Sequence, residues 1–103
     1  MSINLYNKLV RDRIPEIISA DGKRCRHHIA DDEEYREALL TKLLEECHEL
    51  RANPCEEELA DVYEVLEAIS REYKLTSSSA TQIAKRVTKG SFNDKLILDW
   101  VED

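Results

Sequence analysis

Only two glycines (Gly22, Gly90) and two prolines (Pro15, Pro54) punctuate a chain of 103 residues. β-Sandwiches and barrels need a turn roughly every 8–12 residues and spend Gly and Pro on those turns, so this sequence reads as helices joined by few loops. The same scarcity removes the Gly-rich loops that cradle phosphates in P-loop and dinucleotide-binding folds. Hydrophobic residues make up 42% of the chain, enough for a core, and the length suits one domain over residues 1–103. A chain of this size buries only roughly two-thirds of the surface its unfolded form exposes, so a subunit interface adds to its stability.

The helix boundaries can be placed from their punctuation. Within residues 7–20, Pro15 suits a first helical turn and Asp21-Gly22 gives a stop. Asp31-Asp32-Glu33-Glu34 supplies an N-cap and an acidic first turn for a helix predicted to run to about Ala52. Asn53-Pro54 breaks it. Asn53 is the expected cap of the next helix, with Pro54 at its first position and its end near Tyr73. A further helix is predicted over about 78–88, stopped by Lys89-Gly90. Residues 23–29 (Lys-Arg-Cys-Arg-His-His-Ile) lack helical periodicity, and the β-prone residues 95–101 are expected to pair with them as a short two-stranded element. The fold class is mainly α, with the two longest helices forming an antiparallel hairpin within a helical bundle.

The net charge is −7, from 22 acids against 15 Lys and Arg, which disfavours a broad surface for nucleic acid polymers or membranes. No apolar run approaches the ~18 residues of a membrane span, and Met1–Lys8 is too short and polar for a secretory signal. Three cysteines without framework spacing (Cys25, Cys47, Cys55) suit a reducing cytoplasm. The charge is unevenly placed. Residues 31–73 hold 15 acids and four bases, a net of −11, while the remainder holds seven acids and 11 bases, a net of +4.

On a helical wheel at about 100° per residue, Leu39, Leu40, Leu43, Leu44, Cys47 and Leu50 form one apolar arc. Glu46 and Glu49 lie together at i, i+3 on its edge; Glu45 sits farther round. In the following helix Val62, Val65, Leu66, Ile69 and Tyr73 define the apolar face. Glu58 projects between Val65 and Ile69, and Asp61 flanks it. First-turn acids complement a helix dipole, which accounts for Glu56 and Glu57. It does not account for two i, i+3 acid pairs bordering the seam where consecutive helices meet. A carboxylate in such a place shifts its pKa, finds a cation or holds a metal. An all-oxygen donor set matches Mg²⁺, with Mn²⁺ as the alternative.

Glu45-Glu46-Cys47-His48-Glu49, followed by Glu58-Leu59-Ala60-Asp61, resembles the EExxE…ExxD signature of the MazG-like all-α nucleoside triphosphate pyrophosphohydrolases. Tyr6-Asn7-Lys8-Leu9-Val10-Arg11-Asp12-Arg13-Ile14-Pro15 is similar to the opening of a small single-domain branch of that superfamily, described as similar to phosphoribosyl-ATP pyrophosphohydrolase. The resemblance implies an all-α NTP pyrophosphatase bundle that hydrolyses a nucleotide between its α and β phosphates. It implies Mg²⁺ ligands at Glu46, Glu49, Glu58 and Asp61, with Glu45 an additional acidic member. Glu46 or Glu49 is the candidate general base, and Lys8, Arg11 and Lys89 are the candidate phosphate cations. Lys85 and Arg86 read as ordinary solvated bases, and Trp100 as a core residue. A homodimer or homotetramer is expected. Two departures stand out: only eight residues separate the acidic motifs, and Gly90-Ser91-Phe92 stands where Gly-Gly-Phe is expected.

Three other readings compete. Glu45-x-x-His48 matches one half of a di-iron carboxylate motif, but such sites need two of these pairs and two further Glu on four helices. Cys25-Arg26-His27-His28 lacks the paired spacing of a zinc site. A non-catalytic acidic helical dimerisation or protein-interaction module would carry the same carboxylates as a solvated surface.

Overall fold

The computed structural model describes residues 2–103, and the punctuation residues set most of the helix ends in it. α1 (Ile14–Ala20) carries Pro15 in its first turn and stops before Gly22, whose φ of 79° lies in the left-handed region and whose N–H donates to the Ser19 carbonyl at 3.0 Å. The Asp31 side chain caps α2 (Asp32–Ala52), accepting from the Glu34 N–H at 2.9 Å. α4 (Ser78–Lys89) ends on Gly90, at φ 85°, with its N–H bonded to the Arg86 carbonyl at 2.8 Å.

The entry to α3 (Glu56–Glu72) differs from the sequence expectation. Cys55, extended at φ −155°, precedes the helix, and neither Asn53 nor Pro54 begins it. Asn53 still belongs to the end of α2, because its N–H donates to the Glu49 carbonyl at 3.0 Å. Pro54 then pushes Asn53 out of the helical region, to φ −148° and ψ 80°. Asn53, Pro54 and Cys55 together make the reversal between the two helices.

α2 and α3 pack as an antiparallel hairpin, the only extensive helix–helix contact among the described residues. Arg36 Nε meets Glu72 Oε1 at 3.3 Å toward its open end. Leu39, 1% exposed, is the most deeply buried side chain, with Val62 and Val65 buried beside the same seam. Leu43, Leu50 and Ile69 are half-buried. The apolar arc of α2 is wider than α3 can cover, so Leu40 stays exposed and Leu44 is left 73% exposed.

Outside the hairpin, most large apolar side chains among the described residues stay in solvent, with Leu9, Ile14 and Ile18 half-buried. The molecule extends over 61 × 30 × 28 Å with a radius of gyration of 18.6 Å, against about 13 Å for a compact chain of this length. The expected two-stranded element is absent: residues 23–29 and 95–101 form no strand among the described residues. Strand pairing requires the two segments to lie about 4.8 Å apart, and α4, which leads into the tail, is not docked on the hairpin. His28 instead sits 3.0 Å from the Glu34 carboxylate. For the same reason Trp100 is 74% exposed and contributes nothing to a core within this chain. No helix among the described residues is long and apolar enough to cross a membrane.

Candidate metal centre

The hairpin register brings Glu46 on α2 opposite Glu58 and Asp61, which are one turn apart on α3. One carboxylate oxygen from each lies within 4.8 Å of the other two, and all three residues are half-buried. Two oxygens bound to one Mg²⁺ at 2.0–2.1 Å lie at most about 4.2 Å apart, so small side-chain rotations close the three onto a single ion. Three hard oxygen donors with open positions fit Mg²⁺ or Mn²⁺ and do not fit a soft-metal site. Cys25, Cys47 and Cys55 are all free and exposed, and no metal-ligating group among the described residues includes them, His27 or His28.

Glu58 is the most perturbed carboxylate. Its pKa is raised above the ordinary glutamate value, first by desolvation against the seam, then by the charges of Asp61, Glu49, Glu46 and Glu57. Among the described residues no Lys, Arg or His nitrogen forms an ion pair with it, whereas its neighbours have cations. Glu46 is paired with Lys42 Nζ at 3.2 Å and has a side chain only 12% exposed. Asp61 Oδ1 accepts from Arg11 Nη2 at 2.8 Å. A carboxylate crowded by four like charges and lacking a cation of its own is suited to a small divalent ion.

The remaining sequence candidates fall in three places. Glu49 is exposed and outside the trio, yet near enough for its charge to act on Glu58. Glu45 turns toward Lys8 Nζ at 3.3 Å and Lys42 Nζ at 3.6 Å. Lys8 and Arg11 thus reach the acidic hairpin, where both touch carboxylates directly. Lys89 lies elsewhere, in an open groove that it shares with Lys74, Lys85, Arg86 and Phe92 and that no acidic residue lines. Lys42, not among the sequence candidates, pairs with both Glu45 and Glu46. Its spacing of four residues from Glu46 on one helix is the signal that finds it.

No protein-family model matches the sequence, and no solved structure matches it. A curated protein of Mycolicibacterium smegmatis, named only as uncharacterized, is 53% identical over 45 residues, which is 44% of this chain. The match spans 46% of that protein, so the chain covers about half the length of this relative.

Proposed function

We propose that this chain is a Mg²⁺-dependent nucleoside triphosphate pyrophosphohydrolase, cleaving between the α and β phosphates to give a nucleoside monophosphate and pyrophosphate. The supporting observation is the Glu46, Glu58 and Asp61 trio, assembled across two helices by the acidic motif that resembles the MazG-like signature. These three residues hold the ion, with Mn²⁺ as the substitute for Mg²⁺. A divalent ion bound there offsets phosphate charge and lowers the pKa of water. Glu49, outside the trio and, among the described residues, without a cation within ion-pairing distance, accepts the proton of the attacking water; Glu46, tied to Lys42, is the weaker candidate for that role. Lys8 and Arg11 supply phosphate contacts from the N-terminal segment. Lys89 serves a phosphate only where a second copy brings α4 over the hairpin.

A panel of canonical and modified nucleoside triphosphates plus phosphoribosyl-ATP, each with Mg²⁺, tests the reaction. Pyrophosphate and monophosphate are the expected products; orthophosphate alone contradicts cleavage between α and β. Nucleic acid polymers are expected to compete for none of this activity.

The reading includes a cytoplasmic homodimer or homotetramer. Leu40, Leu44 and Leu66 form exposed apolar surface on the outer sides of the hairpin, and a stable interface buries upwards of about 1,000 Å². Leu44→Asp is expected to shift the protein to a smaller species in sedimentation equilibrium. A wild-type chain that sediments as a monomer at tens of micromolar sinks this part.

A second reading, a non-catalytic acidic interaction module, draws on the cations already paired with Glu45, Glu46 and Asp61. It predicts no turnover with any nucleotide and no metal dependence of stability.

A further inference from the structure

Residues 2–13 precede α1 without regular secondary structure among the described residues, and their apolar side chains do little to hold them down. Ile3, Leu5, Tyr6 and Val10 are exposed, and only Leu9 is half-buried. The segment's side-chain polar contacts to the hairpin are ionic. Lys8 Nζ meets Glu45 Oε1 at 3.3 Å, Arg11 Nη2 meets Asp61 Oδ1 at 2.8 Å, and Arg11 Nη1 lies 3.9 Å from Glu64 Oε1. Arg11 and Asp61 are 50 residues apart in sequence, so only the fold brings this cation to the trio.

From this geometry we infer that Arg11 acts as an exchangeable counter-ion: its guanidinium holds Asp61 until a divalent cation binds there and displaces it. The inference rests on the metal-site reading above and adds to it a way for metal to control the N-terminal segment. Both cations seek the same carboxylate. An ion about 2 Å from an Asp61 oxygen places two positive charges beside a guanidinium that is itself in contact with that side chain, a repulsion that solvent screens but that opposes an attraction screened to the same degree. On this side of α3 the Arg11 guanidinium donates to Asp61 Oδ1 at 2.8 Å and only approaches Glu64 at 3.9 Å, so losing Asp61 leaves it a carboxylate to move toward. The pair is also solvent-accessible, with side chains 56% and 40% exposed. Exposed pairs are weak, which suits a contact that must yield.

The backbone allows the exchange. The Arg11 carbonyl accepts from the Ile14 N–H at 3.1 Å, fixing residue 11 at the threshold of α1 while its long side chain swings. Lys8, on Glu45, remains as a second tether. A guanidinium freed in this way carries an unspent charge next to a metal-loaded site, where phosphates also arrive, so metal loading and anion capture are ordered: first the ion, then the freed arginine.

The test uses the full chain and Mg²⁺ or Mn²⁺ alone. Calorimetry measures metal affinity, and phenylglyoxal labelling read by peptide mass spectrometry measures guanidinium freedom, with Arg86 as internal reference. Metal is expected to speed labelling of Arg11 several-fold and leave Arg86 unchanged. Arg11→Gln is expected to bind Mg²⁺ about 3- to 10-fold more tightly than wild type, with unchanged helical circular dichroism. Lys8→Gln, which leaves Asp61 and its arginine intact, is expected to change the affinity less. Metal that binds without altering Arg11 labelling, or an Arg11→Gln protein that binds more weakly, overturns the exchange while leaving the metal site standing. Failure of the wild type to bind either ion overturns the site and the exchange together.

Discussion

Glu58→Gln is expected to lower Mg²⁺ affinity and turnover on the order of 100-fold or more and, in metal-free buffer, to raise Tm. The two effects have one origin. Glu58 is raised above its ordinary pKa of 4.5 by desolvation and by Asp61, Glu49, Glu46 and Glu57, so ionised Glu58 opposes the folded state until a cation joins it. A carboxyl whose folded pKa exceeds its unfolded value holds its proton more tightly when folded. Its contribution to stability is therefore fully present below the unfolded pKa and is lost as pH rises through the folded one. Wild-type protein without metal should lose stability as pH climbs from the ordinary glutamate value of 4.5 through the raised pKa of folded Glu58, and Glu58→Gln should lack that component. Mg²⁺ affinity should move the other way, falling as pH is lowered through the same window, because metal and proton compete. Thermal melts with and without Mg²⁺ across this range check all three. A variant that melts higher and keeps full pyrophosphohydrolase activity removes Glu58 from the ligand set.

Leu39→Ala carries the largest stability effect. Leu39 is the one fully buried side chain among the described residues, joined in the core by Val62 and Val65. Truncating a buried leucine costs about 3 kcal/mol, from lost transfer energy and the cavity left behind. Domains have only about 5–15 kcal/mol in total, and this one concentrates its burial in a single helix pair. A fall in Tm of more than about 10 °C is expected, with weakened metal binding, because the same seam aligns Glu46 with Asp61. Ile29→Ala, at a position 94% exposed, should change stability by less than about 0.5 kcal/mol. Equal melting of the two variants would mean that the hairpin seam does not carry the fold.

Local chemistry made the helices readable. Asp31, Asp21-Gly22 and Lys89-Gly90 act through their own neighbours, so their effects are written in consecutive residues. The wheel places Glu46, Glu49, Glu58 and Asp61 along one seam; the structure brings Glu46, Glu58 and Asp61 together and leaves Glu49 exposed outside them, because i, i+3 spacing does not fix which way a side chain at the edge of the seam turns. What depends on docking was not readable. The strand expected at 23–29 and 95–101, and the core role given to Trp100, both required the tail to return to the hairpin, and nothing in their residue types decides whether it does. The Asn53 side chain is of a type that caps a following helix, yet its backbone N–H stays bonded to the end of α2, and Cys55 precedes α3 instead. Arg11 was legible as a cation suited to phosphate; that it rests on Asp61 depends on a long-range contact with no periodic trace in the sequence.

The reversal at Asn53–Cys55 has a kinetic consequence. Chain segments that meet across a short connection form quickly, because little loop entropy is lost in closing them. Leu39, Val62 and Val65, which stabilise the hairpin, and Glu46, Glu58 and Asp61, which crowd it with charge, all belong to the pair joined by that reversal. The carboxylates are therefore expected to meet as the hairpin closes, ahead of contacts made by α4 or the termini. Mg²⁺ present during refolding would relieve their repulsion in the transition state itself, so it should speed folding as well as slow unfolding.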